Sequence, residues 1–319
     1  MQRTLFIRPH YLCPMKVSAK RVIALTGHQG AVYTVTQGTA VGSIISAGSD
    51  RQIAEWQING INEAKLIARS AGVVYSLLIL PNEPLLLIGN DQGGIHVVDL
   101  QQKAEVKYLL AHTKGVFHLN FDAKRNQVIA AGADGNLTVW QSSVFQCSRE
   151  LWLCNAKIRR TAFNHDYSIL AVACGDGQIK ILNAETLELI HSYQAHTQSV
   201  NTVSFSPDGR FLLSGSKDAH LSVWDVGSWT LIKTIPAHNY AIYEIVWHSS
   251  GQWFATGSRD KTIKIWGTDQ FEILLRIDKD KHQGHVNSVN SLHWIPNTNL
   301  IASASDDRAV MLWEIEFSV

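Results

Sequence analysis

The chain reads as all-β, built from seven copies of one unit, and three registers carry that reading. Trp56, Val98, Trp140, Leu182, Trp224 and Trp266 follow one another at a spacing of 42 residues, and the last step, to Trp313, is 47. An Asp stands six residues before this marker at Asp50, Asp134, Asp176, Asp218, Asp260 and Asp307. In the second unit Asp91 stands seven before Val98, because the turn Gln92-Gly93-Gly94 carries one extra residue. A His stands 22 residues before the Asp at His28, His112, His196, His238 and His285. Three residue types in register over five units exclude coincidence.

The inside of a unit is clearest from His196 to Trp224. Three β-patterned runs, SVNTVSF, RFLLSGS and LSVW, are separated by turn signals at Pro207-Asp208-Gly209 and at Lys217 to His220. Such a meander cannot bury its apolar faces alone, so neighbouring units must cover them. The first unit runs through IISAGSD to Trp56, with a further strand near Ala64 to Ala68. In the second, Ser70 takes the His position and Val98 the Trp position, with Pro81 and Pro84 marking the turn before LLLIG. The third keeps His112, Asp134 and Trp140. The fourth departs furthest: Cys154 replaces His, Val172 replaces the hydroxyl residue and Leu182 replaces Trp. The fifth and sixth are regular. Before the seventh, an insertion holds the charged run Asp278 to His282, which reads as a solvated loop.

These units resemble WD40 repeats. The resemblance rests on Gly27-His28 and Gly284-His285, the Ala-His pairs at His112, His196 and His238, Ser206 to Gly209 (SPDG), and Trp224-Asp225, and it covers roughly Arg21 to Glu314. It implies a seven-bladed β-propeller of four-stranded blades around a central channel. Arg21 to Thr26 matches the outer-strand runs LIHSYQ and LIKTIP yet has no unit of its own, while only EIEFSV follows Trp313. Pairing the two ends completes the seventh blade and closes the ring, as the family does, and it removes the open faces of an unclosed array. The propeller is therefore assigned to residues 17–319, and residues 1–16 form an extension outside the repeats. Whether that extension is an irregular lead, an added edge strand, or a stretch before a true start at Met15 stays open.

Composition agrees. A chain of 319 residues divided into such units has no room for a separate second domain, and ten Trp, eight Tyr and ten Phe suit strands packed face to face. With 28 basic and 27 acidic residues, bulk attraction to nucleic acid or an anionic membrane is not indicated. Cys13, Cys147, Cys154 and Cys174 form no disulfide framework, and no secretory or membrane-spanning run is present, which points to a cytoplasmic protein. Its propeller is expected to be monomeric.

Four units carry a full His, hydroxyl, Asp and Trp set: His28, Ser46, Asp50 and Trp56; His196, Ser214, Asp218 and Trp224; His238, Thr256, Asp260 and Trp266; His285, Ser303, Asp307 and Trp313. The resemblance implies a hydrogen-bond network in which Asp accepts from His and the hydroxyl links His to the indole. A hydrolytic triad is the rival reading, but an enzyme needs one nucleophile in one strained, accessible place, not four equivalent copies. No metal-ligand spacing and no phosphate loop occurs, so no cofactor and no metal are expected.

Function is sought on positions the fold leaves free. In propellers like this one, the residue five after the His opens the innermost strand at the channel rim; here it is Tyr33, Tyr75, Phe117, Arg159, Asn201, Tyr243 and Asn290. The residue before the turn Asp lies nearby: Ser49, Asn90, Ala133, Gly175, Lys217, Arg259 and Asp306. Aromatics with Arg make an interface-like composition, and the small residues of units one to four leave a depression beside them. The expected partner-binding residues are Tyr33, Tyr75, Phe117, Arg159, Lys217, Tyr243, Arg259 and Asp306, on a non-catalytic scaffold for proteins or peptides. The alternative is a subunit of an RNA or ribonucleoprotein complex, suggested by Lys157, Arg159, Arg160, Lys217 and Arg259; a propeller-fold enzyme is the third reading.

Overall fold

The computed structural model describes residues 16–40, 42–58, 64–81 and 83–318. The expectations for residues 1–15 lie outside the described residues. Seven four-stranded antiparallel sheets form, and six of them take their strands in chain order. Blade 1, for example, runs Val32–Gln37, Ser43–Gly48, Gln52–Gln57 and Ala64–Arg69 from the inside outwards. Blade 7 differs: Val289–Trp294, Leu300–Ser305 and Ala309–Ser318 are completed by Lys16–Thr26 from the other end of the chain.

Burial follows position in the blade. The second strand is covered on both faces by neighbouring blades, so Ser43–Gly48 is buried at every residue. The outermost strand meets water, as in Ala104–Leu110, where only Leu109 is buried. Among the described residues the core divides into seven clusters, each spanning two adjacent blades. The cluster joining blade 7 to blade 1 contains Leu25, Val310, Leu312 and Trp56, so the ring is closed by the same apolar packing as elsewhere. After each turn Asp the chain passes through the left-handed region, at Gly135 (φ 85°) and Gly177 (φ 88°), but also at Ala219 (φ 70°). The Asp carboxylate holds that turn by accepting from the N–H two residues on, as from His220 to Asp218 at 3.0 Å.

Two expectations change. The closing strand is longer than Arg21 to Thr26: pairing runs from Lys16↔Ser318 to Thr26↔Ala309. The tail after Trp313 alternates, burying Ile315 and stacking Phe317 on Trp253 of blade 6 with ring centroids 4.1 Å apart. The charged insertion is not merely a solvated loop. Lys279–His282 forms one helical turn capped by Asp278, which accepts from the Lys281 N–H at 3.0 Å. Arg21 of the closing strand then donates to the backbone and side-chain oxygens of Gln283, each at 2.7 Å.

Candidate functional site

The His, hydroxyl, Asp and Trp sets are wired as one directional chain. In blade 5 the Trp224 indole N–H donates to Ser214 Oγ at 2.9 Å, Ser214 Oγ meets His196 Nε2 at 2.8 Å, and His196 Nδ1 meets Asp218 at 3.2 Å. The His–Asp distances in blades 1, 6 and 7 are 2.8, 2.9 and 2.8 Å. Each Asp also accepts from the N–H after the His, as from Thr197 at 3.1 Å, so the network ties the loop between blades to the turn. Burial pulls His196 and His238 below the ordinary imidazole range, against the pull of their carboxylates. For His196 and His238 a neutral ring with the proton on Nδ1 satisfies both the carboxylate and the hydroxyl, and each set ties its own blade together by pairing buried donors.

Two blades achieve this with residues the repeat pattern does not mark. In blade 3 the hydroxyl position is Ala130, and Thr138, its cross-strand neighbour, accepts from the Trp140 indole at 2.8 Å and meets His112 Nε2 at 3.4 Å. In blade 2 the equivalent position is His96, which meets Asn90 at 3.0 Å and Glu105 at 3.1 Å. Asn90 is fully buried, which corrects its assignment to the rim depression. A polar side chain two residues before the Trp position was the available signal.

The channel mouth is shaped by a repeated irregularity. The pairing of the innermost strand with the second strand shifts after its first residue in every blade, between Val32/Thr34, Val74/Ser76, Val116/His118, Ile158/Arg160, Val200/Thr202, Ile242/Glu244 and Val289/Ser291. The residues skipped are Tyr33, Tyr75, Phe117, Arg159, Asn201, Tyr243 and Asn290. A bulge leaves its residue out of the ladder and re-aims the side chain, here into a cavity of ≈ 510 Å³ lined by all seven.

The bulged residues then part in role. Asn201 and Asn290 donate to the backbone oxygens of Ile242 and Val32 in the next blade, each at 2.9 Å, and so serve as ties between blades. Tyr33, Tyr75 and Phe117 form a continuous arc, with ring centroids 5.7 and 5.0 Å apart. The Arg159 guanidinium lies 4.7 Å and the Lys157 ammonium 5.5 Å from the Phe117 ring centre. Burial raises the Tyr33 hydroxyl pKa, reinforced by Asp306, and it raises that of Tyr75, reinforced by Asp91. Tyr243 lines the same cavity from blade 6, and so does Asp306, which accepts from Asn290 at 2.8 Å. Lys217 and Arg259 are exposed and do not line the cavity; Arg259 lies 6.0 Å from the Tyr240 ring centre.

Deeper in the channel, Arg160 of blade 4 pairs with Glu244 of blade 6 at 2.6 Å, bridging two non-adjacent blades. Burial pushes the Glu244 carboxyl up and Arg160 offsets part of that rise. Burial also pushes His118 well down, with a further contribution from Arg160, and brings His293 down to about 4. This pair bridges the channel beneath the aromatic arc and takes Arg160 out of the free basic groups. Among the described residues no helix is long and apolar enough to cross a membrane.

Comparison with known proteins follows the same units. The family model "WD domain, G-beta repeat" matches residues 103–141, 187–225, 229–267 and 278–314, each segment ending just past the Trp of its unit. A THO complex subunit 6 homolog of Danio rerio is 23% identical over 141 residues, covering 39% of this chain and 41% of that protein. A guanine nucleotide-binding protein subunit beta-like protein 1 of Mus musculus is 29% identical over 120 residues, covering 37% of each chain. A U5 small nuclear ribonucleoprotein 40 kDa protein of Dictyostelium discoideum is 28% identical over 117 residues, covering 36% of this chain and 33% of that one. The chain thus spans less than half the length of these curated relatives. With four matched repeats inside a ring of seven blades, the chain belongs to the WD40-repeat family of β-propellers.

Proposed function

We propose that this propeller is a non-catalytic, cytoplasmic scaffold that captures an extended segment of a partner protein across the channel mouth. The observation that carries the reading is the arc Tyr33–Tyr75–Phe117 with Arg159 against its end. Three rings in contact offer a broad apolar face at small entropic cost, and a guanidinium beside them suits a carboxylate. The partner segment therefore carries an apolar anchor and an acidic group, with Tyr243 across the mouth in blade 6, Asp306 beside Tyr33 at the other end of the arc, and Lys217 and Arg259 as outlying contacts. The Arg160–Glu244 bridge across the channel favours a segment that crosses the mouth over one that threads the ring.

The test is a pull-down from the source cells with the wild-type chain and the double variant Tyr75→Ala/Phe117→Ala. Capture of the main partner weakens at least about tenfold, a loss of about 1.4 kcal/mol, while the melting temperature changes little; an outer-strand double variant serves as control. Loss of capture in the control alone would move the binding surface to the blade edges.

A second reading, membership of a ribonucleoprotein complex, is supported by the name of one relative and by the exposed Lys157, Lys217 and Arg259. It takes precedence if recovery of partners depends on intact RNA and falls on charge reversal at Lys157 and Lys217.

A further inference from the structure

Blade 4 places two thiols where blades 5, 6 and 7 place a His and a Ser. Cys154 stands at the His position, and Cys174 stands two residues before the turn Asp, where blades 5, 6 and 7 have Ser216, Ser258 and Ser305. The repeat brings these two positions together. In blade 3 they are His112 and Gly132, and a Cβ placed on Gly132 falls 2.6 Å from His112 Cγ, with Nδ1 nearer still. Since a carbon–carbon bond is about 1.5 Å, the Cβ positions in blade 3 are no more than about 4 Å apart, and the matching register of blade 4, Ile158↔Cys174 for Val116↔Gly132, brings Cys154 and Cys174 into the same relation, within the span a disulfide requires.

In blade 4 both cysteines are free and buried, 5% and 0% exposed, in the apolar cluster between blades 3 and 4. The Cys154 thiol donates to the Ala156 carbonyl at 3.2 Å. Contact with Cys174 draws Cys154 down to about 7, whereas contact with Cys154, together with burial, pushes Cys174 up. Of the two, Cys154 keeps some exposure and Cys174 none, so Cys154 is the sulfur that an oxidant reaches first.

We propose that Cys154 and Cys174 are a redox-active pair that closes to a disulfide within blade 4 on oxidation by a hydroperoxide. The Cys154 thiolate attacks one peroxide oxygen, the O–O bond breaks, and the departing hydroxide takes up a proton as water, leaving Cys154 as a sulfenic acid. The Cys174 sulfur then attacks that sulfur, and the S–O bond breaks as S–S forms. The expelled oxygen leaves as a second water with the Cys174 proton. Two thiols are oxidised by two electrons and one hydrogen peroxide is reduced to two waters; a dithiol reverses the change by exchange. No other blade can do this, because Cys147 is exposed on an outer strand and the equivalent positions elsewhere carry His or Ser opposite Gly or Ser.

The experiment treats the full chain, reduced and freed of reductant, with hydrogen peroxide, then alkylates it under denaturing conditions, digests it without reduction and weighs the peptides. A peptide pair joined through Cys154 and Cys174 is expected, lighter by two hydrogens, abolished in Cys154→Ser and in Cys174→Ser, retained in Cys147→Ser and released by dithiothreitol. Oxidation in concentrated urea should lower the yield of this link about tenfold, since the preference comes from the folded juxtaposition. Full alkylation of both cysteines after peroxide, a link from either to Cys13 or Cys147 instead, or conversion of Cys154 to the sulfinic acid would each overturn the proposal. If a serine variant fails to fold, the link in the Cys147→Ser chain decides the matter.

Discussion

Blades 4 and 5 share a backbone and differ in what fills it. Their ladders have the same register, Leu170↔Leu182 matching Leu212↔Trp224, and each turn Asp accepts from the N–H two residues on at 3.0 Å. In blade 5 the Trp224 ring packs on Tyr193 of blade 4 with centroids 4.6 Å apart and donates into the Ser214–His196–Asp218 chain. At the joint one blade earlier, the equivalents are Leu182 and Leu151, and no His or hydroxyl waits for a partner. A groove of ≈ 610 Å³ lies beside those leucines, next to a Trp152 that is 59% exposed. The polar network therefore does not dictate blade geometry. It is one of two ways to leave no unpaired group at the His, hydroxyl and indole positions, and losing all its members together costs less than losing one.

The largest expected effect breaks that equivalence in one step. Trp224→Leu gives blade 5 the residue of blade 4 while Ser214 and His196 remain, so a cavity appears and the Ser214 oxygen loses its indole donor, at a cost of about 3 kcal/mol or more. Adding His196→Cys and Ser214→Val completes the blade 4 set, and the triple variant should be more stable than the sum of the three single losses by about 1–2 kcal/mol. Urea unfolding of the wild type, the three single variants and the triple variant measures the coupling; strict additivity would mean that blade 4 tolerates its residues for some other reason.

A smaller contrast separates the two turn carboxylates. Asp218→Ala strands His196 and the Thr197 N–H as well as the turn and should cost about 1–3 kcal/mol. Asp176→Ala removes only the turn bond from the Gln178 N–H and should cost under about 1 kcal/mol. Chemical denaturation ranks them, and a larger loss at Asp176 would refute the account of blade 4.

The smallest effect is in the pH profile. Burial lowers the folded-state pKa of His196, so the unfolded chain takes up a proton first as pH falls. The stability this His supports is complete above its unfolded value of about 6.5 and is lost below it, at no more than about 1.4 kcal/mol per pH unit. Asp218, held down by hydrogen bonds and by His196 against burial, loses its contribution only below about 4. His196→Gln should flatten the stability curve between pH 7 and 5; denaturant midpoints at three pH values check it.

The repeat, the count of seven units and the pairing of the two chain ends were legible because one environment recurs at fixed spacing and selects the same residue type each time. So were the four complete His, hydroxyl, Asp and Trp sets, whose partners all lie within one unit. Tertiary structure alone decided what depends on strand pairing and on contacts between blades. Thr138 and His96 act only because the second and third strands bring them opposite Ala130 and Ile88. The shift that turns Tyr33, Tyr75, Phe117 and Arg159 into the channel leaves no mark on residue type, since a bulge is a property of pairing. Arg160 meets Glu244 across 84 residues of chain because a closed ring makes non-adjacent blades face each other, and that contact has no counterpart in local periodicity.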